Sequence, residues 1–287
     1  MNGFLASDCS GEAMKAVLLL QEACGFPQVI SNSRLHDCVD TLLLMQNTDG
    51  GFASFERARA GAWLEKLNPA EVFDQCMVEH SYTECTSTVL TSLALFQRHF
   101  PYYRTDEINA TISRAANFVR ASQRPDGSWE GAWGICFTYG MFFALESLET
   151  VHETYQSSRE VQKGCEWLVS KQKDDGGWGE HHSSCELREY VQDDTSQVVN
   201  TAWAVMALMS ARYPDKASIE RGLQLIQKRQ QPNGEWLQEK LEGVVSRTII
   251  IGYPNYKFYF PIRALGKYEH VYLPWLKESN DSQQKAH

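Results

Sequence analysis

Apolar residues recur along this chain in two alternating styles. In the first they form one stripe. Leu35, Val39, Leu42 and Leu43 follow the 3.6-residue period of a helix, with polar residues between them. Residues 34–45, 112–122, 161–171 and 218–229 share this amphipathic character. In the second style the polar face nearly vanishes. Residues 84–96, 136–148, 197–209 and 256–265 read this way, and Thr88, Leu90, Leu93, Leu95 and Phe96 suit a helix buried on most sides. Each amphipathic stretch precedes an apolar one, and another apolar helix is expected over residues 12–22.

A repeated turn separates the two styles. Its pattern is Gln-x3-Gly-x-aromatic, starting at Gln46, Gln123, Gln172 and Gln230 and ending at Phe52, Trp129, Trp178 and Trp236. The glycine, Gly50, Gly127, Gly176 or Gly234, follows Asp or Asn each time. That pairing signals a turn, because glycine accepts positive φ and the Asx side chain bonds its own backbone. The chain therefore predicts helix, turn, helix, repeated, with polar-faced outer helices alternating with apolar inner ones. Closed around an axis such hairpins make an α/α toroid; stacked openly they make a solenoid. The repeated Gln and Trp read first as structural, the amide serving free backbone groups at a helix end and the indole packing over it. After Tyr268 a polar tail, 269–287, is expected to fray.

Composition narrows the function. With 36 acidic residues against 27 basic ones, the net charge of -9 argues against a nucleic-acid partner. No apolar run reaches the ~20 residues that span a bilayer, and the first residues lack the basic and apolar regions of a secretory leader. The eight cysteines are accordingly read as thiols. His181, His182 and Cys185 have no matching second pair for zinc, and Asp174-Asp175 lacks the further acid that would help hold magnesium.

Longer strings carry a resemblance. Ser-Asp-Cys-Ser-Gly-Glu (residues 7–12) resembles the Asp-Cys-Thr-Ala-Glu motif of oxidosqualene cyclases. The repeated turns resemble the QW motifs of triterpene cyclases. Gly-Gly-Phe-Ala-Ser-Phe-Glu (50–56), Asn-Pro-Ala-Glu-Val-Phe (68–73), Glu-Cys-Thr-Ser (84–87), the segment 126–140 and Gly-Gly-Trp-Gly-Glu (176–180) follow in fitting order. The chain thus resembles the terpene cyclase/mutase family, of the lanosterol-synthase type, over residues 4–268. The resemblance implies a C-terminal catalytic toroid over 1–268, all-α and incomplete at its N-terminal side, which would leave the upstream half as a missing partner segment. It implies an isomerase that cyclises 2,3-oxidosqualene for sterol or triterpenoid synthesis, with no cofactor and no metal. It implies monotopic attachment to the endoplasmic reticulum membrane or a lipid droplet.

By the same resemblance Asp8 protonates the epoxide, while the thiols of Cys9 and Cys85 hydrogen-bond the acid. The chemistry is consistent with these residue types. Keeping an aspartic acid protonated at neutral pH costs about 4 kcal/mol against its ordinary acidity, which an apolar site without cations provides. Thiols orient such an acid without strongly stabilising its anion. Asp8 also reads as the N-cap of the helix that follows. The travelling cation needs aromatic faces, each worth roughly 2 kcal/mol when desolvated. Trp133 and Phe73 match cavity positions of the family, Phe55 stands for its tyrosine, and Phe137 and Tyr253 are further candidates for the substrate wall.

The chain departs from the family pattern at Phe55, at Val245 where a phenylalanine is expected, at Arg263 where a tryptophan is expected, and at the Ser-Gly-Glu that ends the first motif. The late cation rearrangement depends on such rings, so the sequence leaves the product open. A second reading makes the chain a catalytically incomplete toroid that binds a lipid or a partner chain. A third, a prenyltransferase-like toroid, requires a zinc constellation that the sequence lacks.

Overall fold

The computed structural model describes residues 5–70, 73 and 75–285. Among these, the elements in chain order are α1 (Ser7–Leu18), α2 (Asn32–Met45), α3 (Thr83–His99), α4 (Thr105–Ala121), α5 (Phe137–Thr150), α6 (Arg159–Ser170), the short α7 (Ser183–Leu187), α8 (Val198–Ser210), α9 (Lys216–Arg229), the strands β1 (Gly243–Val245) and β2 (Ile249–Ile251), α10 (Tyr256–Lys267) and α11 (Leu273–Lys285). Glu71 and Val72 of the 68–73 string, and residues 1–4 of the expected domain, lie outside the described residues.

The two styles of apolar patterning become two layers. Helices α1, α3, α5, α8 and α10 pack side by side in that order as an inner wall, and α2, α4, α6 and α9 back them. Burial follows the layers. Every residue of α8 from Val198 to Ser210 is buried, whereas α6 buries only one stripe, with Val161, Cys165 and Leu168 at its centre. Trp129, Trp178, Trp203 and Trp236 are among the largest fully buried side chains.

The repeated turns lock the layers together. The Gln46 amide donates to the Gly50 carbonyl and to that of Thr111 on the next outer helix, both at 2.9 Å. Gln123 reaches Gly127 and Glu160, and Gln172 reaches Gly176 and Ser218, in the same manner. The indoles of Trp129, Trp178 and Trp236 donate to carbonyls of the preceding outer helix, at Val119, Leu168 and Ile226 (2.7, 2.7 and 2.8 Å). The turn glycines have φ between +87 and +96°, which explains their residue type. The structural role expected of Gln and Trp is thus present in atomic detail.

Three elements differ from expectation. Helix α1 begins at Ser7, with Ala6 as its N-cap, so Asp8 lies inside the first turn and not at the cap. An antiparallel hairpin, Val245 opposite Ile249 and Gly243 opposite Ile251, fills the fourth repeat between turn and inner helix. Its tip places Ser246 and Arg247 in the left-handed region. The tail is helical and anchored: Tyr272 is buried and its hydroxyl donates to the Tyr213 carbonyl (2.6 Å), and the Arg212 guanidinium lies over the Trp275 ring at 5.6 Å.

Candidate active site

The N-terminal ends of the inner helices collect the candidate residues. Helix α1 is tied down at its start, where the Ser7 hydroxyl and N–H donate to the Ala53 and Ser54 carbonyls (2.5 and 2.8 Å). This fixes Asp8 one residue later. Its Oδ1 accepts from the Cys9 backbone N–H (2.7 Å). Cys85, in the first turn of α3, is wholly buried, with its sulfur 3.6 Å from the Ser54 hydroxyl. Burial pushes the Cys85 thiol well above its ordinary range, and the Asp8 and Glu84 charges push it the same way. Cys9 is raised by partial burial and by Asp8. Burial raises the Tyr253 hydroxyl, and the Cys9 and Asp8 charges act in the same direction. Ser54 thus links the start of α1, with Asp8 and Cys9, to Cys85 at the start of α3 as one group.

Aromatic rings form two clusters among these elements. Trp133 meets Tyr82 edge-on, with centroids 6.0 Å apart at 68°. Both line a cavity of about 540 Å³ with Phe55, Phe73 and Val245, a volume within the range of small-molecule sites. In the second cluster Tyr139 packs against Trp203 (4.9 Å), Trp203 against Phe260 (5.4 Å), and Tyr253 stacks on Tyr256 (4.5 Å). Tyr139 is buried and shares Gly131 with Glu84: a Cβ there would lie 3.0 Å from the Tyr139 ring and 3.2 Å from Glu84 Oε1. Phe137 is not brought to this group. It is buried between layers, against Trp167 and Tyr190, with the Arg124 guanidinium 5.1 Å above its ring. Asp8 itself is half-buried and Cys9 exposed.

The sequence reading overlooked Tyr82, which lines the cavity, and the ring cluster of Tyr139, Trp203 and Tyr256. Tyr139 stands inside the 126–140 string, so its signal was available; the others carry no motif of their own. Arg263, one of the departures, is also explained. Its guanidinium pairs with Glu146 and lies 5.3 Å over the Phe142 ring. Arg263 and Lys267 together hold the Glu146 carboxyl below its ordinary range despite the opposing effect of burial.

Residues 16–270 match the family model of the squalene-hopene cyclase C-terminal domain. The chain belongs to that family. Among known proteins it is 54% identical over 266 residues to lanosterol synthase erg7A of Aspergillus fumigatus, covering 93% of this chain and 35% of that protein. It is 48% identical to the lanosterol synthases of Homo sapiens (276 residues, 94% and 37% covered) and Saccharomyces cerevisiae (277 residues, 94% and 38%). The family member thus spans little more than a third of the length of these relatives. Among solved structures, the type II terpene cyclase MstE from Scytonema superposes with a TM-score of 0.54 at 17% identity, over 83% of this chain and 59% of that one. The ent-copalyl diphosphate synthase from Streptomyces platensis gives 0.52 at 17% identity, over 90% and 49%. These neighbours establish the architecture of this cyclase-family chain as an incomplete α/α toroid.

Proposed function

We propose that this chain is the catalytic toroid of a triterpene cyclase of the lanosterol-synthase type, acting on 2,3-oxidosqualene. The observation that carries the proposal is the link through Ser54, which ties the start of α1, with Asp8 and Cys9, to Cys85 and itself lines the cavity walled by Phe55, Phe73, Tyr82 and Trp133. Asp8 gives its proton to the epoxide oxygen. The C–O bond to the tertiary carbon breaks, and its electron pair stays on oxygen as the new hydroxyl. Successive double bonds then capture and pass on the cation until a proton leaves. Substrate and product have the same composition, so the reaction is an isomerisation. Rings that offer π faces and no nucleophile guide the charge without quenching it. Cys85 acts through Asp8, as an orienting thiol.

The test is incubation of the purified chain with oxidosqualene, alone and with the upstream part of the Aspergillus fumigatus relative supplied in trans, followed by mass spectrometry. Asp8→Asn is expected to abolish product, because the amide has no acidic proton to give. Cys85→Ala is expected to slow the reaction less. Equal activity of wild type and Asp8→Asn would remove the acid role.

We place the protein at the membrane of the endoplasmic reticulum or on lipid droplets, attached to one leaflet. A C30 hydrocarbon epoxide partitions into lipid, so an enzyme that takes it there avoids a negligible aqueous concentration. Exposed Leu19, Leu20, Phe26 and Val29, at and after the end of α1, supply apolar surface for such contact. Among the described residues no helix is long and apolar enough to cross a membrane. Flotation with phosphatidylcholine vesicles is expected; a chain that stays wholly in the dense fraction would refute the attachment.

A further inference from the structure

Glu84 takes no part in the scheme above, yet it is 3% exposed and sits beside Cys85 in the first turn of α3. Its Oε1 accepts from two consecutive backbone N–H groups, those of Ala132 and Trp133, the latter at 3.0 Å. Its Oε2 is buried without a hydrogen-bond partner, as is the indole Nε1 of Trp133. The segment it holds is packed without slack. A Cβ on Gly131 would lie 2.7 Å from the Cys136 carbonyl oxygen and 3.2 Å from Glu84 Oε1, and one on Gly134 would lie 2.5 Å from the Tyr139 ring. The far side of the segment is held by the hairpin: the Val244 N–H donates to the Trp133 carbonyl (3.3 Å) and the Ile135 N–H to that of Glu242 (2.8 Å).

We propose that Glu84 is a positioning residue for Trp133, setting the indole on the cavity wall at a fixed place relative to the Cys85 thiol. The proposal rests on the cyclase reading for what the indole does, but not for where it is held. One peptide step on α3 carries both connections, Cys85 to Ser54, whose carbonyl the start of α1 bonds just before Asp8, and Glu84 to Trp133. The proton donor and a π face that receives the cation are therefore referred to the same helix turn. A carboxyl left with one buried, unpartnered oxygen is costly, so a function that needs both N–H groups bound at one atom accounts for its presence.

The test uses the full chain labelled with 5-fluorotryptophan. The Trp133 resonance is assigned among eight tryptophans by Trp133→Phe. Glu84→Gln keeps an acceptor oxygen at the same reach and is expected to leave the resonance and the amide exchange of residues 131–134 near wild type. Glu84→Asp is one methylene too short to bind both N–H groups. It is expected to move or broaden the Trp133 signal and to speed exchange in that segment by about tenfold or more, with helicity unchanged. Glu84→Ala should do the same; if it loses helicity, the Asp and Gln variants decide. In the cyclisation assay Glu84→Asp is expected to raise the share of early-quenched products several-fold at unchanged KM. An unmoved Trp133 signal in Glu84→Asp, or equal damage from Gln and Asp, would overturn the proposal. An inactive wild type would sink the cyclase reading, while the resonance would still decide the positioning.

Discussion

The repeated turns contain their own control experiment. Gly176 and Gly234 occupy the same place in the motif, with φ of +87 and +88°. Their surroundings differ. A Cβ on Gly176 would lie 2.7 Å from Arg221 Cβ and 2.9 Å from its carbonyl oxygen, whereas a Cβ on Gly234 meets nothing within 4 Å. Alanine at either position incurs the left-handed backbone penalty of about 1–2 kcal/mol. At Gly176 it must also push the turn off the backbone of α9, which overpacking estimates put at roughly 1–3 kcal/mol more. Gly234→Ala is therefore expected to lose about 1–2 kcal/mol and Gly176→Ala about 2–5 kcal/mol. Urea melts followed by far-UV circular dichroism measure both, provided the m-values agree. Equal destabilisation would refute the reasoning, because the turns would then contribute only their own conformation and not the docking of one repeat on the next.

Two further outcomes are expected. Burial pushes the Glu242 carboxyl from an ordinary value near 4.5 up to about 7. The folded state therefore holds the extra proton, and stability should fall as pH rises through that window; Glu242→Gln should flatten this dependence in melts at pH 4.5 and 8 while keeping the contact with the Gln238 amide (2.7 Å). Glu180 accepts from the Phe137 and Thr138 N–H groups, both at 2.9 Å, so Glu180→Ala should cost more than about 2 kcal/mol by stranding two buried donors, and a smaller loss in thermal or urea unfolding would count against that role.

Much of this was legible from the chain because it depends on local pattern. The outer helices showed their stripes, the inner ones their missing polar faces, and the turns their Asx-Gly pairs. The start of α1 was not legible: Ala6 is an uninformative cap, and the helix is fixed there by Ser7 bonding the Ala53 and Ser54 carbonyls. The hairpin had a signal, the β-branched Val244, Val245 and Ile249–Ile251, which its place inside an otherwise helical repeat obscured. At the site, the strings led to Asp8, Cys9, Cys85 and Trp133. Phe137 belongs to the same string as Trp133 but lies between the layers, because helix phase turns it toward Trp167. A string match assigns neighbourhood, and only the backbone assigns direction.

Capping shows why the mouth of the wall could not be read locally. The outer helices α6 and α9 cap themselves, through the Ser158 and Asp215 side chains. The inner helices α5 and α8 have no side-chain cap of their own. Their first N–H groups bond carboxylates from the following turn segment, Glu180 for α5 and Glu239 for α8, some 41 to 43 residues later in the chain. Local capping rules are blind to such partners. The arrangement has a consequence for the site. A locally capped helix needs a polar side chain at its own N-terminus, where the group around Asp8 and the aromatic wall are built. Importing the acceptor from the next repeat leaves the first turn of α5 free for Phe137 and Tyr139, and that of α8 free for Val198 and Val199. It also ties the starts of α5 and α8 to the following repeat, so that the position of these two helix ends is set by the stacking of repeats.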